Sequence, residues 1–159
     1  MKIKLWGVRG SIPTSSPETK YYGGNTSCAV ISEGDNLLVL DGGSGMQQVR
    51  FGTPITNKRV DILLTHLHLD HIQGLGFFKP FFDPNLEVHI WGPASNTQTL
   101  HSRLSRYLSP PLFPVMMRDL PCGLNFHEIE NSEFMIGPFN IKSAYVIHPG
   151  PTVGYRIKG

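Results

Sequence analysis

Residues 66–71 read His66-Leu67-His68-Leu69-Asp70-His71, directly after the β-branched and Leu-rich run Val60-Asp61-Ile62-Leu63-Leu64-Thr65. The run reads as a buried strand that delivers the hexapeptide at its carboxyl end. Three imidazoles and a carboxylate in six residues form a metal-ligating pattern. Alternate side chains of an extended segment share a face, so His66 and His68 can grip one cation together. Asp70 and His71 come where the chain is expected to turn into a short helix over 72–78, and can face a neighbouring second cation. Mixed imidazole and carboxylate ligands suit zinc, and also manganese or iron. Two cations side by side can clamp a hydroxide and a polarised ester oxygen, as in two-metal hydrolases.

The remaining chain reads as one α/β unit over residues 1–159, with no repeat. Residues 2–9 alternate Lys, Ile, Lys and Leu and predict a half-exposed strand. Residues 11–24 hold Pro13, Pro17 and two glycines and predict a long loop. Residues 26–32 and 36–40 predict a hairpin turning at Glu33-Gly34-Asp35. A short helix is expected over 44–50, with Gly52 and Pro54 beyond its end. A strand over 87–91 follows a turn at Asp83-Pro84-Asn85. The clearest helix is expected over 96–108, with Leu100, Leu104, Tyr107 and Leu108 on one face and Pro110-Pro111 stopping it. Strands over 124–129, 134–136, 139–147 and 152–158 complete a second set.

Composition narrows the function classes. A chain of 159 residues can bury one core. Its formal net charge of +2 is too small to make nucleic acid an electrostatic partner. Basic residues are scattered, apart from modest groups such as Arg103 and Arg106. Cys28 and Cys122 make no disulfide framework and read as buried thiols. The first seven residues lack the apolar core of a signal peptide, and no apolar run reaches membrane-spanning length. A cytoplasmic, membrane-free protein is expected.

Other stretches join the hexapeptide in a resemblance. Gly7-Val8-Arg9-Gly10-Ser11-Ile12-Pro13 follows the first strand, and Tyr22-Gly23-Gly24-Asn25-Thr26-Ser27-Cys28 opens the second. Leu38-Val39-Leu40-Asp41-Gly42-Gly43-Ser44-Gly45 and His148-Pro149-Gly150-Pro151-Thr152-Val153-Gly154-Tyr155-Arg156 come later. With H-x-H-x-D-H, these stretches resemble the metallo-β-lactamase superfamily of metal-dependent hydrolases, on its ribonuclease Z and cyclic-phosphodiesterase side. The likeness runs from about residue 4 to residue 156. It implies an α/β (α+β) fold, the four-layer αββα sandwich. It implies two divalent metals, zinc foremost, with His66, His68 and His148 on the first and Asp70 and His71 on the second. Asp70 would be the catalytic carboxylate that orients the nucleophile, and Asp41 would buttress the ligand loops from outside. The implied activity is phosphodiester hydrolysis by a metal-bound hydroxide, on a small phosphodiester such as a cyclic nucleotide or cyclic sugar phosphate. A carbonyl substrate (a lactone, thioester or β-lactam) is the alternative.

One departure bears on activity. The family pattern continues to an Asp that bridges the two metals and to a last His, and no Asp follows His148. The sequence therefore reads as the N-terminal portion of such a domain, with its C-terminal half missing. An inactive or merely metal-binding fragment is the reading from a different class. An unpartnered sheet edge would then favour a homo-oligomer or a complementary half.

Some candidates also have plainer readings. From the residues alone, Asp41 is a turn-forming Asp before Gly42-Gly43. His89, His101 and His127 lack partners at ligand spacing and read as surface or core histidines. Arg9 can grip a phosphate or simply be solvated. Ser109-Pro110-Pro111-Leu112-Phe113-Pro114-Val115-Met116-Met117 is either a wall beside the metals or core packing.

Overall fold

The computed structural model describes residues 1–51, 55 and 57–159, and two sheets form from them. A six-stranded sheet runs in chain order through β1 (Lys2–Gly7), β2 (Cys28–Glu33), β3 (Asn36–Leu40), β4 (Arg59–Leu63), β5 (Glu87–Pro93) and β6 (Gly123–Ile129). The first three strands pair antiparallel, and the rest pair parallel. A three-stranded antiparallel sheet holds β7 (Ser132–Ile136), β8 (Phe139–Tyr145) and β9 (Val153–Lys158). The β2–β3 hairpin closes on the two residues between Glu33 and Asn36, with Gly34 at φ +55°. Glycine takes that left-handed conformation without steric cost, which is what so tight a hairpin needs.

Parallel strands need crossovers, and these carry the helices α1 (Leu69–Ile72) and α2 (Leu100–Ser105) with several 3-10 turns. The central strands are apolar on both faces because both are covered. On one face, Val39, Val60, Ile62, Val88 and Ile90 pack under Phe78, Phe81, Leu100 and Leu104. On the other, Ile31, Leu38 and Leu63 meet Ile136, Phe139 and Ile141 of the second sheet. Adjacent residues such as Ile62 and Leu63 thus serve different cores, as the two-residue period of a strand dictates. The described residues build a helical layer, a sheet and a second sheet.

Several expected elements shift. The helix expected over 96–108 forms only over Leu100–Ser105. Thr99 caps it by accepting from the Ser102 amide at 3.1 Å, and upstream the hydroxyls of Ser95 and Thr97 bond one another at 3.2 Å. Such local side-chain bonds compete with helical backbone bonds. The helix expected over 72–78 begins earlier, at Leu69, and breaks before a 3-10 turn over Leu75–Phe77. The break comes where the Gly74 amide donates to the Gly42 carbonyl at 2.7 Å. The helix expected over 44–50 is a 3-10 turn over Ser44–Gln48, and its expected stop at Gly52 and Pro54 lies outside the described residues. β1 is more open than its alternation suggests. Ile3 and Leu5 are 61% and 64% exposed, although Ile3 pairs with the buried Ile31 of β2. Among the described residues, the core of the second sheet meets β2 to β5 on that face and includes no residue of β1. Among the described residues, no helix is long and apolar enough to cross a membrane.

The core between the sheets gives a direct test. Phe139 is fully buried there, whereas Met135, on the outer face of β7, is 59% exposed. Phe139→Ala is expected to lower unfolding free energy in urea by about 3–5 kcal/mol. Met135→Ala should change it by no more than about 0.5 kcal/mol.

Candidate metal centre

β3 and β4 run parallel and end side by side, so residues 41 and 65 leave the sheet together. Asp41 takes φ +56° there and is buried. Its carboxylate accepts from the Thr65 amide at 2.8 Å and the Thr65 hydroxyl at 3.0 Å. The Ser27 hydroxyl donates to it at 3.3 Å, and His71 Nδ1 lies 2.8 Å away. Asp41 is therefore a turn residue and a buttress at once. Asp tolerates the left-handed region better than most residues, and a buried carboxylate needs several donors. Beside it, Gly43 passes so close to α1 that a Cβ would sit 2.2 Å from the Asp70 carbonyl. A side chain there would force the ligand-bearing turn away from the sheet.

The same network sets two imidazoles. Thr65 Oγ1 lies 3.0 Å from His66 Nδ1. With the Thr65 hydroxyl donating to Asp41, His66 Nδ1–H donates to Thr65, and Nε2 keeps its lone pair. His71 Nδ1 is likewise directed at Asp41, which frees its Nε2. Carboxylate or hydroxyl partners on the far nitrogen are the usual way to orient a ligating histidine. Burial, then the neighbouring imidazoles of His71 and His68, pushes His66 down to about 4, so it is neutral near pH 7. Burial alone would lower His71 too, but the hydrogen bond and charge of Asp41, with Asp70, raise it overall.

His68 stands with an extended backbone at the N-cap position of α1, and its ring lies edge-on to that of His66. His148 arrives from the turn between β8 and β9. Two bonds staple β9 to the segment just before the hexapeptide. The Val153 amide donates to the Thr65 carbonyl at 2.9 Å, and the Tyr155 hydroxyl donates to the Leu64 carbonyl at 2.9 Å. Ligand atoms of His66, His68 and His148 consequently lie within 4.8 Å of one another. Ring centroids are 4.5 Å apart for His66 and His68, 4.6 Å for His66 and His148, and 4.9 Å for His68 and His148. His66 is buried and the other two are exposed, so the cluster opens to solvent on one side.

Asp70 and His71 stand on α1 beside this cluster. Asp70 Oδ2 lies 3.6 Å from His71 Nε2 and accepts from the Ser11 amide at 2.9 Å. Three imidazole nitrogens at this separation suit a borderline cation such as zinc, with room for a further ligand. Asp70 and His71 bring two donors, fewer than a closed site needs. Among the described residues, the three histidines are the group of three or more donors close enough for one ion.

Thr65, Ser27 and Ser11 were not singled out by sequence. Thr65 and Ser27 adjoin motif residues, but nothing in their types marks them. Ser11 has φ +69°, which turns its amide towards Asp70. Arg9, in the same loop, donates from Nε to the Ile12 carbonyl at 2.9 Å and so holds the loop. His89 and His127 pair across β5 and β6, Nδ1 to Nε2 at 2.8 Å, and His127 stacks on Trp91. His101 packs edge-on against Phe126. The 109–117 segment divides its roles: Leu112 walls the cavity beside the histidines, while Phe113 and Met117 are buried in the core.

Two stacked sheets with a histidine cluster at the carboxyl end of a parallel strand define a metal-site α/β sandwich. Residues 37–159 match the family model for the beta-lactamase superfamily domain, and the chain belongs to that superfamily. The ribonuclease Z of Nanoarchaeum equitans is 29% identical over 160 residues, spanning 98% of this chain and 46% of the relative. The ribonuclease Z of Haloarcula marismortui is 25% identical over 160 residues, with the same coverage of 98% and 46%. The chain thus spans about half the length of the curated relatives it matches. The metallo-beta-lactamase fold protein YhfI of Bacillus subtilis superposes with a TM-score of 0.67 at 21% identity, covering 98% of this chain and 57% of that one. The short form of human tRNase Z gives 0.66 at 20% identity, covering 99% and 65%. At these identities, the superpositions speak to the fold.

If Asp41 holds these loops, its removal strands several buried donors. Asp41→Ala also places a Cβ-bearing residue at φ +56° with no side chain able to bond locally. It is expected to cost about 3 kcal/mol in urea unfolding of the metal-free protein. Asp41→Asn should lose less, because Asn accepts the left-handed conformation and keeps one acceptor oxygen.

Proposed function

We propose that this chain is a metal-dependent hydrolase of phosphodiesters. The observation that carries the reading is the cluster of His66, His68 and His148, three ring nitrogens within 4.8 Å drawn from two separate parts of the chain. A divalent cation held there would supply a Lewis acid and acidify a bound water. His66 keeps its ligating tautomer through Thr65, which in turn leans on Asp41. Asp70, which accepts from the Ser11 amide, would accept a hydrogen bond from the attacking water and orient it. With His71 it would form the protein's share of a second site. Zinc is the first candidate, with manganese and iron compatible with the same donors.

RNA is a better-supported substrate than a small phosphodiester. Relatives aligned along nearly the whole chain are named ribonuclease Z. The net charge of +2 argued against nucleic acid, but a total charge does not reveal whether cations gather locally. Arg103 and Arg106 do gather, at the cavity beside the histidines. A second reading, a metal-binding module needing a complement, has its own support: Asp70 and His71 make only a two-donor pair. The same complement, or a second copy, would cover the exposed Met1, Ile3 and Leu5 and pair with the outer edge of β9. The free, buried Cys28 and Cys122 suit a reducing cytoplasm.

Hydrolysis of bis(p-nitrophenyl) phosphate and of a short RNA is the test. Activity should vanish with EDTA, return with a divalent metal, and fall about a hundredfold or more in His68→Ala. No turnover of either substrate with any added divalent metal contradicts the hydrolase reading. Turnover of nitrocefin or a lactone in its place would assign a carbonyl substrate.

A further inference from the structure

A cavity of about 420 Å³ opens against His66 and His68, within the usual size range of small-ligand sites, about 300–1,000 Å³. Leu67, Leu69, Ile72 and Leu112 give it an apolar wall, and no Asp or Glu among the described residues lines it. Arg103, Arg106 and Tyr107, from the end of α2 and just beyond, line the same space. These side chains differ in how they are held. The Tyr107 hydroxyl donates to the Gln73 carbonyl at 2.6 Å, which fixes the ring as a rigid wall. Arg103 donates from one terminal nitrogen to the Pro93 carbonyl, while its Nε is buried with no hydrogen-bond partner among the described residues. Arg106 is exposed, and its side chain forms no hydrogen bond or ion pair among the described residues. A fixed cation, Arg103, and a second whose side chain is free, Arg106, therefore line an apolar recess beside His66 and His68.

Such a lining is complementary to a ligand with a flat apolar part and a separate anion. Arg presents a planar fork of donors that matches phosphate oxygens two at a time. Apolar and aromatic walls favour a nucleobase. We propose that this cavity holds the nucleotide adjoining the bond to be cleaved, with Arg106, backed by Arg103, gripping that nucleotide's own phosphate and the apolar wall taking its base. The substrate is then a nucleotide chain with at least two phosphates, not a small diester with one. This assignment rests on the phosphodiesterase reading for its purpose, but its binding site is testable without catalysis.

The probes are adenosine 5′-monophosphate and adenosine, titrated calorimetrically into the metal-loaded protein. The wild type is expected to prefer the monophosphate, and Arg106→Ala to weaken monophosphate binding about tenfold or more. Arg106→Lys should restore part of the loss, since it returns the charge without the fork. Arg118→Ala removes an exposed cation outside the cavity and should change nothing. Equal binding of both probes by the wild type overturns the proposal. So does a loss of preference caused by His68→Ala but not by Arg106→Ala, which would put the phosphate on the histidine cluster. A preference that depends on Arg106 in a protein that cleaves no phosphodiester supports the recess and sinks the hydrolase reading. Cleavage of RNA with no such preference does the reverse.

Discussion

At the end of β3 the Asp41 carboxylate collects the Thr65 amide, the Thr65 hydroxyl, the Ser27 hydroxyl and His71 Nδ1. A buried carboxylate is tolerable only with such a full set of donors. That requirement ties three segments into one geometry: the start of β2, the turn after β3 and the segment leaving β4. The consequences reach the metal ligands. Thr65 can orient His66 because Asp41 fixes Thr65, and His71 presents Nε2 because Asp41 takes Nδ1. The close passage of Gly43 by α1 keeps the ligand-bearing turn pressed against the sheet.

The second constraint is the seam between the sheets. Phe139 and Ile141 pack on Leu38 and Leu63, and the bonds from Val153 and Tyr155 to Thr65 and Leu64 fix how far the second sheet slides. A shift of one residue along that seam would carry His148 several ångströms from His66 and His68. The third imidazole is thus placed by packing remote from the site. The cost of building the cluster is spread over the whole inter-sheet core.

Much of this is legible in the sequence because the signals are local. The apolar run 60–65 and the hexapeptide are contiguous, and a strand followed by a turn leaves few places for His66 and His68. The β2–β3 hairpin is legible in Gly34 and its apolar flanks. Asp41 and His148 are legible only through resemblance, since neither an Asp before two glycines nor a His before a Pro says what lies across from it. The lengths of α1 and α2 are not legible, because capping by Thr99 and the contact of Gly74 with Gly42 overrule apolar periodicity. Thr65, Ser27 and Ser11 were invisible because a hydroxyl or amide gains its role from what the fold brings near. The open face of β1 is hidden for a similar reason: its alternation reports which side is apolar, not whether anything covers it.

The central claim is that His66, His68 and His148 act together as one cation's ligands. X-ray absorption at the edge of whichever divalent metal copurifies tests it most directly. The account predicts imidazole scattering from all three histidines, at about 2.0–2.1 Å for zinc. It also predicts that one of the three is lost in His148→Ala while the fold is retained. A first shell of oxygen alone, or a spectrum unchanged by His148→Ala, would contradict it.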